Sequence, residues 1–176
     1  VVVYGIDRGA DDLDRLPAAG VDLHDGAGPR HLVFHPEGRV GYPARGLDPT
    51  VTVLHRDPDG ALTVGETVST LPGEFAGDNV AADVHRRPAG DRLYVSNRGH
   101  DSVAVYRLED PAAPEPAGHV STRGRWPRGF GLTPDGRHLL SGVQHDDELH
   151  LFGAADDGLD HLDASDVPAP ACVDAS

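Results

Sequence analysis

One pattern recurs three times along this chain of 176 residues. It consists of an extended apolar stretch, a Pro-x-Gly turn, a second such stretch, a polar connection and a third. It reads GPRHLVFHPEGR from Gly28 to Arg39, DVHRRPAGDRLYVSNRGHDSVAVYRL from Asp83 to Leu108, and WPRGFGLTPDGRHLLSGVQHDDELHLF from Trp126 to Phe152. Anchored on Pro36, Pro88 and Pro134, the copies align without a gap through Gly38, Gly90 and Gly136, then through Tyr42, Tyr94 and Leu140. They stay in register to the runs 51–54, 103–106 and 149–152. The anchors stand 52 and 46 residues apart, the length of a four-stranded propeller blade. With no sustained helical periodicity anywhere, the chain is expected to be all-β: a β-propeller portion of about three four-stranded blades plus flanking strands.

The repeats divide the chain. Residues 1–25 are expected to hold the end of a preceding blade, with strands at 1–6 and 16–23. Three blades follow at 26–70, 79–122 and 126–163, and 168–173 is expected to form a closing strand. Propellers close with roughly 4–8 blades, so this count leaves open edges, which favour self-association. The chain opens on VVVYGI with no capping turn and contains no Met, which predicts a propeller truncated at its N-terminus.

Fifteen basic residues, every one an arginine, face 29 acidic ones, for a formal charge of −14. Such a field disfavours nucleic acid and anionic membranes as partners, because a negative surface releases no counterions from either. An acidic, lysine-free surface resembles that of proteins from salt-loving organisms and also suits a GC-rich genome. Cys172 is the only cysteine, so no disulfide forms within the chain, and it is expected to be a small buried apolar residue. With no apolar run of membrane-spanning length and no signal-peptide start, a cytoplasmic location is expected.

Strand direction alternates in a four-stranded meander. The Pro-x-Gly turns therefore share one face, and the connections entering each blade share the other. The second face gathers Arg30, Arg98, Arg128, His31, His85 and His100 in an otherwise acidic protein. Planar guanidinium groups bind phosphate and carboxylate bidentately, so a small anionic ligand is expected there. Arg98 breaks the repeat, since Gly46 and Gln144 hold its equivalent positions. Arg128 repeats Arg30 in register, as an inter-blade strut would. His85 lies two residues after Asp83 on an inner strand, where a hydrogen-bonded core histidine and a catalytic one are equally in keeping with the pattern. Asn97, His100 and Asp101 fall on the loop after the second strand. No tight metal-ligand spacing, nucleophile elbow or P-loop occurs, and no cofactor is expected.

The phrases GPRHLVFHPEGR, NVAADVHRRPAGDRLYVSNRGHDSVAVYRL and HVSTRGRWPRGFGLTPDGRHLL, with the tail PAPACV, resemble the lactonase family of seven-bladed propellers. That family comprises the propeller-type 6-phosphogluconolactonases, related to carboxymuconate-lactonizing enzymes. The resemblance implies that this chain is a C-terminal half. It also implies hydrolysis of 6-phospho-glucono-1,5-lactone, in the pentose phosphate route, without a metal. By the same resemblance Arg30 and Arg98 hold the substrate anion or oxyanion, and His85 is the candidate general base. His31, Asp83, Asn97, His100 and Arg128 then contact substrate. Where the family has Asn-Glu, this chain has Arg45-Gly46, so the expected carboxylate is absent. The alternative is a non-catalytic propeller module that binds a protein or a sugar acid.

Overall fold

At each Pro-x-Gly site the glycine takes a positive φ, 72° at Gly38, 83° at Gly90 and 68° at Gly136. A residue without Cβ enters this region at no steric cost, and the chain there reverses from one strand into the next. Fourteen strands are present among the described residues of the computed structural model, 1–7, 9, 12–156 and 158–175. The first two, β1 (Tyr4–Asp7) and β2 (Asp12–Arg15), pair as an antiparallel hairpin. Three antiparallel meanders follow. The first comprises β3 (Pro29–Phe34), β4 (Val40–Arg45), β5 (Thr50–Arg56) and β6 (Leu62–Ser69). The second comprises β7 (Val80–Arg86), β8 (Arg92–Arg98), β9 (Ser102–Arg107) and β10 (Glu115–Ser121). The third comprises β11 (Pro127–Leu132), β12 (His138–Val143), β13 (Glu148–Ala155) and β14 (Gly158–Asp166).

The sheets stack face to face, and the period of two along each strand feeds two cores. On β8, Leu93 and Val95 join Tyr42, Val51, Val53 and Tyr106 between the first and second sheets. Tyr94, one residue over, joins Val103, Val105, Phe130, Leu139 and Phe152 between the second and third. The middle sheet is therefore apolar on both sides. Polar links lock the layers: the Tyr42 hydroxyl donates to the Pro111 carbonyl at 2.8 Å, and Arg86 Nε donates to the Phe34 carbonyl at 2.8 Å.

Both flanks depart from the sequence expectation. No strand occupies 16–23: Pro17–Ala19 is a single 3₁₀ turn, and the strand paired with β1 is β2, upstream of it. Pro17 offers no amide hydrogen, and Ala18, Ala19 and Gly20 bring no branched side chain to a pleated surface. At the other end β14 runs to Asp166, past the expected limit of 163, and 168–173 forms no strand. Pro168 and Pro170 interrupt the donors that a ladder needs.

The segment after β14 instead lies flat on the far face of the third sheet, where small residues admit it. A Cβ at Gly129 would stand 3.2 Å from the Ala171 carbonyl oxygen, and one at Gly142 would stand 2.9 Å from Pro170 Cβ. Cys172 rides on this segment and is exposed, not buried. At the opposite end of the stack Tyr4, Ile6, Leu13, Leu32 and Val64 are exposed, so that end presents apolar surface. Among the described residues no helix is long and apolar enough to cross a membrane.

Candidate functional site

The same irregularity marks the first strand of each four-stranded sheet. The pairing register slips between Pro29 and His31 on β3, between Ala81 and Val84 on β7, and between Pro127 and Gly129 on β11. Aligned on the Pro-x-Gly turns, the inserted residues are Arg30, Ala82 and Arg128. A bulge leaves one residue outside the ladder and re-aims its side chain, which is why bulges recur beside functional sites. Three stacked bulges turn the entrances of the three inner strands toward one another.

Asp83 sits at the middle of this line and is only 6% exposed. Its Oδ1 lies 2.9 Å from His31 Nδ1, and its Oδ2 lies 3.4 Å from His85 Nε2. The Phe130 amide donates to Oδ2 at 3.2 Å, joining the second sheet to the third, and the Val84 amide donates to Oδ1 at 2.9 Å. Burial alone would raise the Asp83 carboxyl. The His85 contact, the charge interactions with both imidazoles and the Phe130 amide outweigh burial and hold it below the ordinary aspartate value. One carboxylate thus orients two imidazoles. With Nδ1 turned to Asp83, His31 keeps Nε2 without a protein partner among the described residues. Burial lowers the His31 pKa, and the nearby Arg30, His85 and Arg98 lower it further against the pull of Asp83, so this imidazole gives up its proton more readily than a free one and favours the proton-accepting form. The His85 ring meets Phe130 edge-on, with centroids 4.8 Å apart.

Beside this cluster stand three guanidiniums. Arg30 Nη1 donates to the Ala82 carbonyl at 2.6 Å, so Arg30 is a strut between blades as well as a cation. Arg128 Nη1 donates to Gln144 Oε1 at 3.3 Å. Arg98 Nη2 reaches the Ala81 carbonyl at 3.4 Å, while its Nε is buried without a hydrogen-bond partner. Burial, then Arg30 and Arg128, lowers the Arg98 pKa. Among the described residues none of the three has a carboxylate within ion-pair distance. An array of cations with spare donors beside two imidazoles can bind a small anion, take a proton from water and stabilise an oxyanion.

The structure brings Arg30, His31, Asp83, His85, Arg98 and Arg128 into this centre, and it separates Asn97 and His100 from it. Asn97 is fully buried: its Oδ1 accepts from Thr70 Oγ1 at 2.7 Å and from Asn79 Nδ2 at 3.0 Å, and its Nδ2 donates to the Thr70 carbonyl at 2.6 Å. An amide so buried and bonded at both ends is out of a ligand's reach. His100 turns away from the arginines, with Nδ1 2.7 Å from Ser102 Oγ and its ring packed against Phe75 and His119. Alternation along β8 and the turn after it send these neighbours of Arg98 to other surroundings. One contributor went unread in the sequence. The Trp126 ring lies 5.3 Å from the Arg98 guanidinium carbon, and the available signal was a lone tryptophan directly before Pro127-Arg128. Position 46, glycine here, is also adjacent: a Cβ there would lie 3.3 Å from the Ala81 carbonyl that Arg98 contacts.

Stacked four-stranded meanders that meet at their first strands, with a polar centre at that inner edge, define a β-propeller protein. The chain matches the family described as Lactonase, 7-bladed beta-propeller over residues 1–175, and it belongs to that family. It is 34% identical over 142 residues to the 6-phosphogluconolactonase of Klebsiella pneumoniae (strain 342), covering 80% of this chain and 43% of that protein. It is 33% identical over 153 residues to the 6-phosphogluconolactonase of Bacillus subtilis (strain 168), covering 84% of this chain and 44% of that one. Among solved structures, a protein from Lactobacillus plantarum superposes with a TM-score of 0.91 at 30% identity, over 97% of this chain and 50% of its own. The periplasmic gluconolactonase of Pseudomonas aeruginosa gives a TM-score of 0.86 at 29% identity, over 96% and 48%. The chain therefore spans about half the length of the relatives it matches.

Proposed function

We propose that this chain opens a sugar lactone by hydrolysis, with 6-phospho-glucono-1,5-lactone as the substrate. The observation that carries the reading is a set of three guanidiniums that have no carboxylate partner among the described residues, gathered beside imidazoles that Asp83 orients. An imidazole takes a proton from water, and the hydroxide attacks the lactone carbonyl. Arg30 and Arg98 stabilise the tetrahedral oxyanion. Collapse breaks the ring C–O bond, and the imidazolium returns its proton to the leaving oxygen, giving the open hydroxy acid. His31 and His85 are the two candidate bases; His31 has the better support, because its Nδ1 contact to Asp83 leaves Nε2 for water. Arg128, whose charge reaches Arg98, completes the anion-binding centre. The relatives named 6-phosphogluconolactonase support the lactone as substrate, and a cytoplasmic location belongs to the same reading.

A second reading, binding of a sugar acid without turnover, is favoured by Gly46, which leaves Arg98 without the carboxylate that the family resemblance implies. Hydrolysis of 6-phosphogluconolactone above its spontaneous rate, measured beside Arg98→Ala, separates the two. Loss of one oxyanion donor should cost about 10²–10³ in kcat, with the circular dichroism spectrum unchanged. A folded wild-type protein with no turnover, but with saturable binding of the sugar acid, would establish the second reading.

A further inference from the structure

Arg98 poses a question that its hydrogen bonds do not answer. It contributes charge to the centre, yet among the described residues it has no carboxylate partner, its Nε is an orphaned buried donor, and its one hydrogen bond is the 3.4 Å contact to the Ala81 carbonyl. A long flexible side chain held so weakly would sample many rotamers. A guanidinium that must meet an anion in a set orientation cannot do so. What fixes it is the Trp126 ring, 5.3 Å from the guanidinium carbon, within the range at which the electron-rich face of an indole attracts a cation.

Trp126 is itself held in a demanding conformation. Its φ is 66°, the left-handed region that a bulky residue occupies only where its surroundings over-determine it. Those surroundings are visible. The Trp126 amide donates to Asp101 Oδ1 at 2.9 Å, and the Gln144 amide donates to the Trp126 carbonyl at 3.1 Å. The indole also stacks on the His145 ring at 4.9 Å, with 7° between planes. Asp101 ties the arrangement to Arg98 from the other side, because the same Oδ1 accepts the Gly99 amide at 3.1 Å in the turn that follows Arg98. Asp101 too has a positive φ, 52°. One carboxylate therefore anchors both the turn after the arginine and the residue whose ring carries it, although the two belong to different blades.

We propose that Trp126 is a positioning residue: its indole, clamped between His145 and the Asp101-anchored backbone, holds the Arg98 guanidinium in the orientation that receives the substrate anion. The proposal rests on the reading of Arg98 as an anion contact. It adds that the contact is set by stacking across a blade boundary and not by a counter-carboxylate, which leaves all the guanidinium charge for the ligand.

Trp126 is the only tryptophan in the chain, so its emission reports on this contact directly. In the test, inorganic phosphate is titrated into the full chain, with bound phosphate followed by ³¹P NMR and the indole by fluorescence. Wild type should show a saturable emission change that tracks phosphate binding, and Arg98→Ala should lose both. Trp126→Leu should weaken phosphate binding about tenfold, while Trp126→Phe, which keeps an aromatic face, should stay within about threefold of wild type. Phosphate that binds wild type without altering the emission overturns the proposal, and so does Trp126→Leu binding as wild type does. Either result leaves the anion site standing if Arg98→Ala abolishes binding. Phosphate binding that is equal in Arg98→Ala and wild type, or absent from both, overturns the anion site itself and the proposal with it. The wild-type emission measurement needs no variant to fold.

Discussion

Asp83 shows how much one side chain can carry at the residue scale. Among the described residues it is the one carboxylate paired with His31 and His85, and it also takes the Phe130 amide from the neighbouring blade. Asp83→Ala should therefore leave a buried amide unsatisfied and lower stability by about 1–3 kcal/mol, read as a lower denaturant midpoint at unchanged slope. The folded pKa of Asp83 is depressed below its ordinary 3.8, so its contribution is full above that value and is lost as pH falls through the lower folded value. His31 is also depressed, below 6.5. As pH falls through 6.5 the unfolded chain takes up a proton that the folded site resists, so the folded state loses stability there. For activity the same depression keeps the imidazole neutral, and the acid limb of kcat/KM should lie below 6.5. Arg30→Ala removes one of the charges that depress it and should move that limb upward, even where the rate falls. A limb that stays in place would mean that His31 is not the base. The basic residues and both histidines of this centre were legible from strand parity alone. Trp126 was not, because its role depends on a left-handed backbone and on a neighbouring blade, neither of which leaves a pattern in sequence.

At the scale of elements, the bulges and the C-terminal segment do the positioning. Each first strand slips register at an equivalent point, which turns a repeated scaffold position into Arg30 in one blade, the Ala82-Asp83 step in the next and Arg128 in the third. The C-terminal segment, left over after the third repeat, was expected to form a closing strand. Its prolines remove donors, and the glycines of β11 and β12 offer a smooth surface to lie on. Gly142→Val would drive a side chain into Pro170, already 2.9 Å from a single added Cβ. Carboxypeptidase should then trim residues beyond 167 faster than in wild type, with the sheet signal retained. Equal trimming would show that the far face does not hold the segment.

The whole molecule sets a basic centre in an acidic body. Its formal charge of −14 with no lysine makes the folded state repel itself at low ionic strength, and salt near 1 M contracts the screening length to about 3 Å. The β signal in circular dichroism should therefore be incomplete in dilute buffer and rise to a plateau in molar KCl. A complete signal in dilute buffer would refute this. Against that anionic field Arg30, Arg98 and Arg128 lie together where the blades meet, with no carboxylate among the described residues within ion-pair distance of them.

The sequence by itself determined the architecture and the face that carries the site. A repeat of about 50 residues with fixed turn glycines can bury its alternating side chains only by stacking sheets, and strand parity then sorts loops to one end or the other. Only the tertiary structure decided which polar residues act together. Asn97 and Arg98 are neighbours in sequence, yet one spends its amide on Thr70 and Asn79 inside the fold while the other meets an indole from a different blade. Such partnerships depend on distances between segments tens of residues apart, and spacing along a chain does not encode those distances.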